Sequence, residues 1–155
     1  MTLLSKLQYK NYEPGEFTEQ QERTYEETIQ QVEGFPWEEQ RDHWVVSLTN
    51  PSITIEGKNG DFLKLALYYN EKFVLYYLDP HHHLYTRSSL HYQDLYPIIR
   101  AFFKDDLFAP SELKREHTPL QNNIVHFEDK NFTYRLEPAG ILVQPVAIEI
   151  GRAHV

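Results

Sequence analysis

The chain has 155 residues, of which 41% are hydrophobic and 14% aromatic. That is enough apolar matter for one folded domain and excludes wholesale disorder, despite a mean hydropathy of −0.59. A net charge of −8 excludes a broad basic face for nucleic acid, and the absence of cysteine excludes disulfides and thiolate chemistry.

The acidity is uneven. Residues 1–42 carry ten acidic side chains, from Glu13 to Asp42, against Lys6, Lys10, Arg23 and Arg41. Such a front repels phosphate and favours a basic protein partner. The opening MTLLSKLQYK lacks the apolar core of a signal peptide. No run reaches the roughly 18 apolar residues of a spanning helix. The expectation is a cytoplasmic protein with no membrane contact within this chain.

Residues 1–17 are polar, with Pro14-Gly15 as a turn signal, and read as an N-terminal arm. Thr18 and Gln21 have capping-box spacing, which predicts a helix from Thr18 to Gly34 with Tyr25, Ile29 and Val32 on one stripe. Pro36-Trp37 predicts a second, shorter helix with proline at its first position. Ser52–Glu56 then begins a β region. Asn59-Gly60 is a strong hairpin signal. Phe62–Tyr69 alternates, with Leu63, Leu65, Leu67 and Tyr69 on one side and Phe62, Lys64, Ala66 and Tyr68 on the other. Phe73–Asp79 and Leu84–Ser88 complete four strands close enough to pair as an antiparallel meander.

Residues 92–104 read as a helix, regular only from Tyr96 because of Pro97, with Leu95, Ile99, Phe102 and Phe103 facing inward. Residues 107–122 read as loop. Strands are expected at Asn123–Phe127, Phe132–Glu137 and Ile141–Ile148. The fold class is therefore α+β: an antiparallel meander sheet, two N-terminal helices and one helix after the fourth strand.

The chain ends in EIGRAHV. Its codons can be written as a common sequencing adapter running into its in-frame stop. Residues 149–155 are expected to be non-native read-through. On that reading the domain proper is 18–148, and the natural protein continues past Ile148.

Three groups of residues could carry function. In DPHHHLYTRS, residues 79–88, an extended backbone would project Asp79, His81 and His83 to one side, a donor set suited to zinc. One strand does not wrap an ion easily, so a fourth ligand such as His91 or His126 would be needed. The bland alternative is an Asp-Pro turn capped by exposed histidines. The second group is tyrosine: Tyr68, Tyr76 or Tyr77, and Tyr85 lie on successive strands. With aligned pleats they would form a docking patch edged by Lys64 and Arg87. The alternative is that other elements cover the rings. The third group is the acid-rich first helix, with Glu26 and Glu27.

His91 with Ser88, Ser89 and Asp94 suggests a triad, but no Gly-x-Ser-x-Gly elbow holds a nucleophile, and Ser88 or Ser89 reads as a helix cap. Six glycines supply no phosphate loop. The leading expectation is a non-enzymatic, acidic protein-binding domain without a cofactor. In size and charge, though not in any residue motif, it resembles small acidic bacterial immunity proteins, which neutralise toxins. The alternatives are a metal-binding protein or metal-dependent hydrolase using Asp79, His81 and His83, and a cytoplasmic domain of a truncated membrane protein.

Overall fold

The computed structural model describes residues 1–44, 48–105, 114–115, 125–128, 132–137 and 140–145. The chain opens with two strands, β1 (Leu3–Gln8) and β2 (Thr18–Arg23), followed by helices α1 (Tyr25–Gly34) and α2 (Trp37–Arg41). The meander follows: β3 (Ser52–Glu56), β4 (Phe62–Leu67), β5 (Phe73–Leu78) and β6 (Leu84–Ser89). A 3-10 turn (Tyr92–Leu95) leads into α3 (Tyr96–Phe103). Strand β7 (Lys114–Arg115) joins the first sheet, and β8 (Val125–Glu128), β9 (Phe132–Glu137) and β10 (Gly140–Pro145) form a second. The first sheet has strand order β2-β1-β3-β4-β5-β6-β7 and the second β10-β9-β8, with every pairing antiparallel.

The α+β class and the β3–β6 meander agree with the sequence. The expected helix arrangement does not. Residues 3–8 are an interior strand between β2 and β3, not part of an arm. The first helix starts at Tyr25 rather than at Thr18. Two stretches match the capping-box pattern, and the second one forms: the Glu27 backbone N–H donates to Thr24 Oγ1, and the Thr24 N–H donates to Glu27 Oε1. Apolar periodicity also begins only at Tyr25. The stretch TEQQER pairs as an edge strand, with Glu19 to Glu22 exposed, so it carries no apolar alternation to reveal it. Pro36 sits at the N-cap of α2 rather than at its first position. Helix α3 follows the sixth strand of the sheet. The expected C-terminal strands are shifted to Val125–Glu128 and Gly140–Pro145, while Phe132–Glu137 is as expected. The expected loop at 107–122 includes β7, which pairs with β6; its other residues and the tail at 149–155 lie outside the described residues.

The helices pack on one face of the large sheet. Ser5 Oγ of β1 donates to Gln31 of α1 at 2.9 Å. The Phe73 ring meets Trp37 at 5.3 Å, and Tyr77 meets Phe102 at 6.0 Å. Trp37 Nε1 donates to the Val32 carbonyl at 2.9 Å, which also accepts the Phe35 backbone N–H at the end of α1. In α3, Ile98, Ile99, Phe102 and Phe103 are buried, and the register starts at Tyr96 as Pro97 requires.

The opposite face is also buried. One row crosses four strands there: Lys6 faces Thr54, Thr54 faces Lys64, and Lys64 faces Tyr76. All four are at most 3% exposed. Lys6 is paired with Glu56 at 2.9 Å. A lysine is almost never fully buried without a compensating partner, so the row marks a covered, polar interior rather than a docking face.

Candidate functional site

The strongest candidate feature is a segregation of charge in residues 1–42. All ten acids there are exposed, and none of the four cations is. Each cation has a local reason to turn inward. Lys6 lies on the interior strand and meets Glu56. Lys10 Nζ donates to the carbonyls of Glu39 and Asp42, at the C-terminal end of α2 where unpaired carbonyls accumulate. Arg23 Nη1 sits where the β1–β2 register shifts and donates to the carbonyls of Ser5 (3.1 Å) and Glu19 (2.9 Å). Arg41 donates to the Tyr68 carbonyl at 3.0 Å and the Lys72 carbonyl at 2.9 Å. Burial lowers its tendency to stay protonated, and Glu71 and Glu38 oppose that effect. Three of the four cations are thus spent on backbone carbonyls and Lys6 on Glu56, while negative charge faces solvent.

The expected Glu26–Glu27 pair divides. Both are exposed. Glu27 closes the capping box, and hydrogen bonds from Thr24 hold its carboxyl below the usual range. Glu26 makes no ion pair among the described residues.

The tyrosine patch does not form. Tyr76 faces Thr86 and Tyr77 faces Tyr85 across β5 and β6, so Tyr76 and Tyr85 point to opposite sides. Tyr76 is 1% exposed beside Lys64 on the covered face. Tyr85 lies under the helix layer, its ring 5.9 Å from that of Tyr77. Arg87 is exposed on that same side, opposite Leu75, and does not edge a patch with Lys64. Tyr68 is half-buried at the end of β4, 6.2 Å from Tyr69. Both faces of a central strand are buried here, and residue spacing alone cannot tell a covered ring from an exposed one.

The histidine stretch folds as a turn built on Asp79. Its Oδ1 accepts the backbone N–H groups of His81 (2.8 Å) and His83 (2.9 Å). Its Oδ2 lies 3.1 Å from His83 Nδ1 and accepts from Tyr85 Oη at 3.4 Å. His82 takes a positive φ of 70° to close the turn. The structure therefore joins Asp79 and His83 but leaves His81 exposed. Among the described residues no group of three His, Cys, Asp or Glu side chains could hold a metal. His91 is exposed at the start of the 3-10 turn, and the side chain of His126 lies outside the described residues. The suggested triad is also absent as geometry: Ser89 Oγ donates to Asp94 at 2.6 Å, and only the His91 backbone, not its ring, approaches Ser89.

One set of residues escaped the sequence reading. Tyr96, Arg100 and Lys104 line a cleft with Tyr25. The signal was their i, i+4, i+8 spacing, a second stripe on the helix whose apolar stripe drew attention. No family model, curated protein or solved structure matches this chain. No helix among the described residues is long and apolar enough to cross a membrane.

Proposed function

We propose that this chain is a non-enzymatic protein-binding domain that docks a basic partner on the surface of β2, α1 and α2. One observation supports the reading: in residues 1–42 every acid is exposed, while Lys6 is buried and Lys10, Arg23 and Arg41 are half-buried. Folding makes that layer more negative at its surface than its composition requires. A predominantly negative surface steers an oppositely charged partner and speeds its encounter. It also costs self-repulsion, which screening over a Debye length of about 8 Å at physiological ionic strength only partly removes. The specific form favoured by size and charge is an inhibitor that covers the cationic site of a toxin, as an immunity protein does.

The test is capture of proteins from a lysate of the source cells on immobilised wild type and two variants of equal net charge. E19Q/E22Q/E26Q removes three exposed acids from the layer. H81K/S88K/H91K adds the same charge at exposed positions elsewhere. The expected result is a protein of high isoelectric point, eluted by salt, lost from the first variant and retained by the second. Equal retention by both would reject the surface.

A further inference from the structure

The stripe of α3 that faces away from the core is Tyr96, Pro97, Arg100, Ala101 and Lys104. With Tyr25 of α1 and Gln93 of the 3-10 turn it lines a cleft of about 490 Å³. A neighbouring hollow of about 240 Å³ shares Tyr25, Arg100 and Lys104. The larger volume lies within the roughly 300–1,000 Å³ of small-molecule sites.

Both aromatic walls are held from behind. The Tyr25 ring stands edge-on to buried Phe103 at 5.9 Å. The Tyr96 hydroxyl donates to Glu33 at 2.9 Å, and its ring lies 6.1 Å from Tyr92. Between the walls, Ala101 supplies no bulk, so the space stays open. The Arg100 guanidinium lies 4.4 Å from the centre of the Tyr25 ring, lines the cleft, and makes no side-chain hydrogen bond among the described residues. Arg100 and Lys104 are both exposed and make no ion pair among the described residues. Of the nearby acids, Glu33 is engaged by Tyr96 and Glu26 borders the smaller hollow.

Cations near the C-terminal end of a helix offset its dipole, and that alone would account for their presence. It does not account for two fixed aromatic walls around a void. A stacked guanidinium binds planar or tetrahedral oxyanions with two parallel hydrogen bonds, and a lysine one turn along adds a point charge. We infer that this cleft binds a small ligand with an anionic head, carboxylate or phosphate monoester, on an aromatic body that lies between Tyr25 and Tyr96. The site is opposite in sign to the proposed docking surface, adjoins it at Tyr25 and Glu26 of α1, and does not rest on that reading.

The experiment is an amide-resolved NMR titration of the full chain with phenyl phosphate, phenylacetate, inorganic phosphate and benzyl alcohol. The expected result is saturable binding of at least one aromatic anion, with shifts centred on Tyr25, Tyr96 and Arg100. Which aromatic anion binds more tightly identifies the head group. Inorganic phosphate and benzyl alcohol should bind at least about tenfold more weakly, because each lacks half of the recognition. R100Q/K104Q should weaken the aromatic anion at least about tenfold, and K58Q/K72Q should leave it unchanged. A101F should block the cleft with both charges in place. Failure of both aromatic anions to saturate would overturn the assignment. So would inorganic phosphate matching phenyl phosphate, or undiminished binding by R100Q/K104Q, whose exposed positions make unfolding no explanation.

Discussion

The Tyr77 hydroxyl donates to Asp61 Oδ2 at 3.0 Å, and both residues are buried. The other carboxylate oxygen, Oδ1, has no hydrogen-bond partner among the described residues. The pair sits where the β3–β4 hairpin meets α3, and the close approach is possible because residue 57 is glycine. A Cβ there would overlap the Asp61 carboxylate and come within 2.9 Å of Phe102 Cζ. Tyr77→Phe is expected to cost about 1–3 kcal/mol, since it leaves a buried carboxylate with no partner. Gly57→Ala should cost a similar amount, about 1–3 kcal/mol, by overpacking. Urea denaturation of both variants checks this, and wild-type stability in either would remove the pair from the structural account.

Burial, reinforced by Asp61, pushes the Tyr77 hydroxyl well above the ordinary tyrosine range; burial and Glu33 do the same for Tyr96. A pKa raised on folding contributes stability that is complete below the unfolded value, near pH 10, and is lost as pH rises toward the folded value. In an ultraviolet titration, exposed tyrosines should ionise first, with Tyr77 ionising only as the protein unfolds. Y77F should show a weaker loss of stability between about pH 10 and 12. An unchanged alkaline profile in Y77F would count against the assignment.

Glu27 carries the opposite shift. Its carboxyl is held low by hydrogen bonds from Thr24, so the contribution is complete above the unfolded value, near pH 4, and is lost as pH falls through the folded value. The protection of the Thr24 and Glu27 amides, relative to their intrinsic exchange rates, is therefore expected to fall below about pH 4. Glu27→Gln keeps the capping geometry without the titration, and should make that protection much less dependent on acid.

The histidine turn separates structure from metal binding. Asp79→Ala removes the acceptor of two backbone N–H groups and should destabilise the protein by about 1–2 kcal/mol. His81→Ala, at an exposed position, should change stability by less than about 0.5 kcal/mol. Zinc calorimetry on untagged protein is expected to give equal, weak binding for wild type and H81A/H83A. One tightly bound equivalent lost in the double variant would instead make the turn a metal centre.

Several features were legible in the chain because their causes are local. Asn59-Gly60 sets the β3–β4 turn, with Gly60 at φ 81°. Pro97 sets where α3 becomes regular. The β3–β6 strands fell within a residue or two of their expected limits because turn residues bound apolar runs. The concentration of acid before residue 43 is composition, and needs no structure.

Other features depend on what lies across from a residue. Strand β2 is polar because it is an edge, and TEQQER looks like a helix start until β1 pairs with it. Tyr76 and Tyr77 are chain neighbours on a strand buried on both faces, so only the packed layers assign one to the lysine row and the other to Asp61. The inward turn of Lys10, Arg23 and Arg41 exists because folding brings backbone carbonyls within their reach. The sequence by itself determined the charge, the turns and the apolar periods, which a few adjacent residues encode. Tertiary structure alone decided which face is covered, which cations are spent and where a cleft remains, because these follow from contacts between residues far apart in the chain.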